Sequence, residues 1–227
     1  MTTDDIASRL AAIRERIADA AAAAGRTPDD VTLVAAAKRQ PAEAMRAAVE
    51  LGVEAIGHNY VRELRQARAD VGPSAVRWHF IGTLQSSTAH HVADLADVVE
   101  TLAGDRAVRR LAARAERAGR TVDGLLEVDF TGRRSGYAPD EVAAAVDRVA
   151  ALDGVRLRGL MTIPPPTPTA EEARPWFRRL RELRDDVRER HPEVLDLSMG
   201  MSLDYQVAVH EGATMVRIGT ALFGPRT

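Results

Sequence analysis

The apolar positions of this chain follow two different rhythms. Thr3 to Ala24 carries Ile6, Leu10, Ile13 and Ile17 at helical spacing, and Gly25 is a natural stop. From Val31 onward, short apolar runs alternate with longer amphipathic stretches. Val31–Lys38, bounded by Pro28 and Pro41, reads as a buried strand, and Pro41–Leu51 as a helix that opens on proline and ends at Gly52. The same couple recurs as Val53–His58 with Asn59–Ala69, Val76–Gly82 with Ser86–Leu95, and Asp97–Leu102 with Asp105–Ala118. It continues as Thr121–Phe130 with Ala138–Leu152, Val155–Ile163 with Ala170–Arg190, and Val194–Gly200 with Ser202–Glu211. The eighth apolar run, Ala213–Gly224, is followed only by a stub.

Strands that alternate with helices favour a parallel sheet joined by helical crossovers. Eight such units within the 227 residues predict a closed (β/α)8 TIM barrel at the small end of its size range. An open doubly wound sheet is the competing architecture, but the Gly-rich fingerprint it would carry after its first strand is missing from VTLVAAAKRQP. With no linker or composition break, the prediction is one domain over 1–227: a leading helix over 1–25 and a barrel over 31–224.

Composition removes whole classes of function. A net charge of −2 gives no pull toward nucleic acid or anionic membrane, and the absence of cysteine excludes disulfides and thiolate metal sites. No run approaches the ~20 apolar residues of a membrane span. The N-terminus has acids where a signal peptide needs base, so a cytoplasmic location is expected. No large apolar stripe is left unassigned, which predicts a monomer.

Of the 31 basic residues, one is a lysine, Lys38. Arginine stays protonated and cannot act as a nucleophilic amine, whereas a deprotonated lysine can form a Schiff base with a carbonyl. By itself a lone lysine in an Ala- and Arg-rich chain is as consistent with chance as with function. Its context adds weight, because barrel chemistry sits where strands run into helices. That rule gathers Lys38, His58, Asn59, Tyr60, Thr83, Gln85, Asp129, Arg133, Arg134, Met161 and Thr162, then Ser198 to Ser202 and Arg217 to Thr220, onto one rim.

The last two segments have the chemistry of an anion cradle. Barrels frequently hold phosphate with the loops after strands seven and eight. Gly200 and Ser202 precede a predicted helix, and Gly219 and Thr220 form a tight turn, so small residues, hydroxyls and a helix N-terminus coincide. A phosphate site opposite a single amine fits a phosphorylated aldehyde such as pyridoxal 5′-phosphate. Arg217 could supply the cation that helps keep the amine neutral.

The stretches AAAKRQP, GHNYVREL, WHFIGTLQSS, RGLMTIP, LSMGMSLDYQVAV and TMVRIGTALFG, in order from Val31 to Gly224, resemble the pyridoxal phosphate homeostasis protein family. That family in turn resembles the barrel domain of alanine racemase. The resemblance implies that Lys38 carries the cofactor as a Schiff base. It also implies that Ser202, Gly219 and Thr220 hold the phosphate with Ser198 close by, that Arg217 faces the pyridine nitrogen, and that Asn59, Met161 and His79 line the pocket. An arginine there weakens the ring as an electron sink, so the implied role is carriage of the cofactor, with PLP-dependent apoenzymes as possible recipients, and no turnover. The chain departs from the family pattern at Ala37, Gln40, His58 and Arg134; the first two leave Lys38 without a second amine nearby.

Two enzyme readings compete. A racemase- or aldolase-like enzyme using Lys38 would need a positioned acid/base, for which Asp129 or Tyr60 could be proposed. A metal-dependent hydrolase would draw on His58, His79, His90 and His91. None of these forms a strand-end H-x-H pair, and His90 and His91 are expected to face solvent.

Overall fold

A computed structural model describes residues 2–225. Helix α1 (Thr3–Ala23) starts at a capping box, in which Thr2 and Asp5 satisfy each other's backbone N–H groups. Eight strands follow: β1 (Thr32–Ala36), β2 (Ala55–His58), β3 (Arg77–Phe80), β4 (Val98–Leu102), β5 (Val122–Val128), β6 (Val155–Thr162), β7 (Asp196–Ser198) and β8 (Met215–Ile218). All pair in parallel, each with its sequence neighbour, and β1 pairs with β8 to close the barrel. The helices between them are α2 (Ala42–Glu50), α3 (Val61–Val71), α4 (Ala89–Leu95), α5 (Asp105–Arg117), α6 (Val142–Ala150), α7 (Arg174–Arg188) and α8 (Tyr205–His210), and α9 (Thr220–Phe223) follows β8.

The fold is the predicted barrel, with differences at the element ends. The first strand stops at Ala36, so Lys38 lies in the turn beyond it. The helix expected from Ser202 begins at Tyr205, and the eighth run splits into β8 and the four-residue α9. A stub that short cannot cover the outside of the β8–β1 seam. The leading helix does so instead: α1 packs on α2, α8 and α9, and buries Ile6, Leu10, Ile13, Ile17 and Ala21.

Outward-facing strand residues and the inner faces of the helices form the main core, anchored by fully buried Trp78, Phe80 and Phe177. The bore is layered. Arg77 and Arg156 grip Asp123 (2.7 and 2.6 Å) near the strand N-termini. An apolar plug of Val34, Ala55, Val98, Leu125, Met161 and Met215 follows. Polar groups fill the C-terminal end, where a barrel presents its loops. A register slip shapes that end: Val99 pairs with Gly124 and Leu102 with Leu126, so Glu100 and Thr101 together face Leu125, while a second slip lies earlier, between β5 and β6 at Gly124 and Leu125. Bulges of this kind re-aim side chains.

Candidate functional site

Lys38 sits in a turn closed by the Gln40 N–H donating to the Ala37 carbonyl (3.0 Å). The next residue, Arg39, has φ +60°, the one positive φ at a non-glycine position among the described residues. An L-residue held left-handed costs about 1 kcal/mol or more, a strain often kept at working sites. Half-buried Lys38 places Nζ 5.1 Å from the centre of the Tyr60 ring, within cation–π range.

A cavity of about 400 Å³ opens at the C-terminal mouth, bordered by Lys38, Asn59, Ser202, Arg217, Gly219 and Thr220 from the predicted set, with Ile81, Ile163, Met201 and Leu203 as apolar walls. Its size is that of a small-molecule site, roughly 300–1,000 Å³. On one wall the loop after β7 meets the start of α9: the Ser202 hydroxyl accepts from the Ala221 N–H (3.1 Å) and from the Thr220 hydroxyl (3.4 Å). Two hydroxyls thus converge at the start of α9, and hydroxyl donors beside a helix start are what an anion cradle requires. On the wall formed by the loop after β2, the Asn59 side-chain amide donates to the Ile81 carbonyl (3.3 Å).

The floor is a buried ionic cluster. Arg217 donates through one nitrogen to the Ser198 hydroxyl and through the other to the Thr162 carbonyl (2.9 Å). The Ser198 hydroxyl donates to Glu100 Oε2 (2.5 Å), and Arg217 lies 3.7 Å from the same oxygen. His79 Nδ1 is 2.6 Å from Glu100 Oε1. A carboxylate only accepts, so that nitrogen carries the proton. Burial by itself would raise the pKa of Glu100, but the hydrogen bond and charge of His79, the charge of Arg217 and the Ser198 hydroxyl outweigh it and hold the carboxyl below its ordinary range. Burial likewise pulls Arg217 down, opposed by Glu100, Asp204 and Glu127; arginine begins so high that it stays charged.

The pH consequence has a definite sign. A carboxyl whose pKa is depressed by folding stabilises fully above its unfolded value, about 4.3, and loses that contribution as pH falls toward the folded value. Urea midpoints should therefore fall below about pH 4.5 in the native protein, and fall less steeply in Glu100→Gln.

Not every predicted rim residue reaches the cavity. Met161 is fully buried in the bore, and His79 and Ser198 form its floor from one layer deeper. Gly200 is a packing glycine: at φ +91° a Cβ would come within 2.5 Å of the Ala208 Cβ, and its carbonyl accepts the Arg217 N–H (3.0 Å). His58 turns outward over Trp78, 3.7 Å from Glu63, and burial lowers its pKa against the pull of that carboxylate. Asp129 takes N–H groups of Thr131 and Arg134 (2.8 and 2.6 Å) and so staples its loop, while Arg134 pairs with Glu127 (3.1 Å). His90 and His91 lie partly exposed on α4 with rings 3.9 Å apart, and His91 Nδ1 is 3.3 Å from the Arg65 guanidinium at the surface. Among the described residues no group of three or more His, Asp or Glu side chains could hold a metal ion, and no helix is long and apolar enough to cross a membrane. Glu100 is the functional candidate that sequence reasoning passed over. The signal was available: VVETL places an ionisable group inside an apolar strand, where it must find partners.

Residues 8–227 match the family model of the alanine racemase N-terminal domain. The pyridoxal phosphate homeostasis protein of Pseudomonas aeruginosa is 40% identical over 223 residues, 97% of this chain and 96% of that one. Its counterpart from Escherichia coli is 37% identical over 98% and 97%. Among solved structures, PipY of Synechococcus elongatus with PLP bound superposes with a TM-score of 0.85 at 33% identity, covering 96% of this chain and all of that one (100%). An alanine racemase from Clostridium difficile shares the fold at a TM-score of 0.75 and 14% identity, with 57% of its length covered. From the barrel, the full-length relatives and the family match together, this chain belongs to the alanine racemase N-terminal domain family and, within it, to the pyridoxal phosphate homeostasis proteins.

Proposed function

We propose that this protein holds pyridoxal 5′-phosphate as a Schiff base on Lys38 and serves the homeostasis of that cofactor in the cytoplasm, as a monomer and without catalytic turnover. The observation that carries the reading is the single cavity bordered at once by the only lysine, by the Ser202–Gly219–Thr220 corner and by Arg217. The PLP-bound PipY relative supports the choice of ligand. In this reading Ser202, Gly219 and Thr220 hold the phosphate, Arg217 meets the pyridine nitrogen and Asn59 lines the pocket. Ser198, Gly200, Met161 and His79 hold that frame from beneath. PLP when bound supplies an electron sink for carbanions, and a fixed guanidinium at the ring nitrogen weakens it by disfavouring the pyridinium. That preference for holding over using also makes PLP-dependent apoenzymes the class of protein that would receive the cofactor.

The test is chemical. Purified protein incubated with PLP should develop a visible imine band, and borohydride reduction followed by peptide mapping should place the label on the peptide bearing Lys38. An unlabelled Lys38 peptide would overturn the reading. Label there together with racemase or decarboxylase turnover would convert it to an enzymatic one.

A further inference from the structure

The floor of the cavity contains an acid to which the reading above gives no role. Glu100 is fully buried, on a strand otherwise made of Val98, Val99, Thr101 and Leu102. An ionised carboxylate removed from water is costly unless its oxygens are bonded and its charge is met. Glu100 satisfies both conditions in an unusual way. The β4 bulge, in which Glu100 and Thr101 share one partner on β5, sends the carboxylate across the bore. It reaches His79 on the neighbouring strand β3 and Ser198 on the far strand β7, and it stands 3.7 Å from Arg217 on β8. One carboxylate thus ties four strands together beneath the rim.

Arg217 is the one member of the cluster that also borders the cavity. Its guanidinium is held on its inner edges by the Ser198 hydroxyl and the Thr162 carbonyl, which fixes the plane it can present upward. The other charges that act on it are Asp204 from the loop before α8, Glu127 on β5 and Arg134 from the following loop. Glu127 is itself paired with Arg134 (3.1 Å), and Asp204 accepts the Met201 N–H (2.7 Å). Among the described residues, Glu100 alone meets Arg217 at ion-pair distance.

We infer that Glu100 is a positioning residue for the ligand site: through Ser198 it orients Arg217, and its charge offsets that of the guanidinium, so that it sets how strongly Arg217 opposes a positive charge on the bound ring or imine. The inference rests on the PLP reading and extends it. An uncompensated cation nearby lowers the pKa of a group that becomes positive on protonation, by about one unit or more at close range.

The experiment is a pH titration of the visible band of the PLP-loaded protein, with borohydride labelling in parallel. Glu100→Gln keeps shape and one acceptor but removes the charge, and the midpoint of its band change should move down by about one pH unit relative to the native protein. Ser198→Ala removes a single hydroxyl and leaves both charges. It should weaken PLP binding about tenfold, by loosening Arg217, with a midpoint displaced less than in Glu100→Gln. If Glu100→Gln loads and titrates at the native midpoint and only its unfolding temperature falls, Glu100 is structural and the inference is wrong. Should Glu100→Gln fail to fold, Ser198→Ala decides: native affinity in that variant overturns the inference. Absence of label on native Lys38 would instead sink the underlying PLP reading, so the two failures are distinguishable.

Discussion

Replacing Lys38 with arginine is expected to abolish both the visible band and the borohydride label, and to weaken PLP binding by about 100-fold, equivalent to roughly 3 kcal/mol. The substitution keeps a long cationic side chain at the same point of the rim, so the electrostatic pull on a phosphate is nearly unchanged. What it removes is the capacity to become a neutral amine, because a guanidinium stays protonated and cannot attack an aldehyde. The chain has no other lysine to substitute for it. Residual binding should persist through the Ser202–Thr220 corner and be reversible by dialysis, in contrast to the native adduct after reduction. Persistence of the band in Lys38→Arg would mean that the N-terminal amine carries the aldehyde, and the site would have to be relocated. Absorption spectra, intact mass after reduction and equilibrium dialysis measure the three outcomes separately.

Gly82→Ala is expected to cost about 3 kcal/mol of stability and to weaken ligand binding at the same time. Gly82 follows β3 where the β2 and β3 loops converge, and a Cβ there would lie 2.0 Å from the Asn59 carbonyl oxygen and 2.8 Å from its Cα. Those are backbone atoms, so no rotamer change relieves the clash. The buried Thr101 hydroxyl also donates to the Gly82 carbonyl (2.5 Å), which anchors the loop from β4. Either that bond or the course of Asn59 must give way, and Asn59 borders the cavity. Urea denaturation and PLP titration of the same preparation test the coupling. A variant that is destabilised but binds normally would show that the rim can move without carrying Asn59 with it.

The alternation of apolar runs and helical stretches was enough to predict the barrel because the strands are largely buried, with β2, β4 and β5 buried throughout, and such burial leaves mostly apolar runs. Segments that failed to follow the prediction are those with weak periodicity. The stretch after Met201 keeps only its second half helical, with Ser202 turned instead toward α9. The apolar run at the C-terminus hides the break between β8 and α9. The coverage of that seam by α1 depends on a contact between the two ends of the chain, which no local pattern encodes.

At the site, chemistry was legible where a residue type is rare or its turn is distinctive. Lys38 stands out by being the only amine of its kind, and Ser202, Gly219 and Thr220 by small and hydroxylic residues after apolar strands. Which rim residues face the cavity was not legible, because a single residue's shift in register exchanges inside for outside. His58 therefore turned outward to Trp78 and Glu63, and Asp129 became a loop staple.

The amino-acid sequence alone determined the eight-unit barrel, the one possible lysine Schiff base and the placing of Lys38 and of the Ser202, Gly219 and Thr220 segments at strand ends, since these depend on residue type and local spacing. The tertiary structure alone decided that Lys38 and the Ser202–Thr220 corner share one cavity, and that Arg217 is held from beneath by Ser198 and Glu100. The physical reason is that barrel closure brings β8 beside β1, and a bulge in β4 turns one carboxylate across the bore. Both are properties of strand register, and register is settled only when all eight strands pack together.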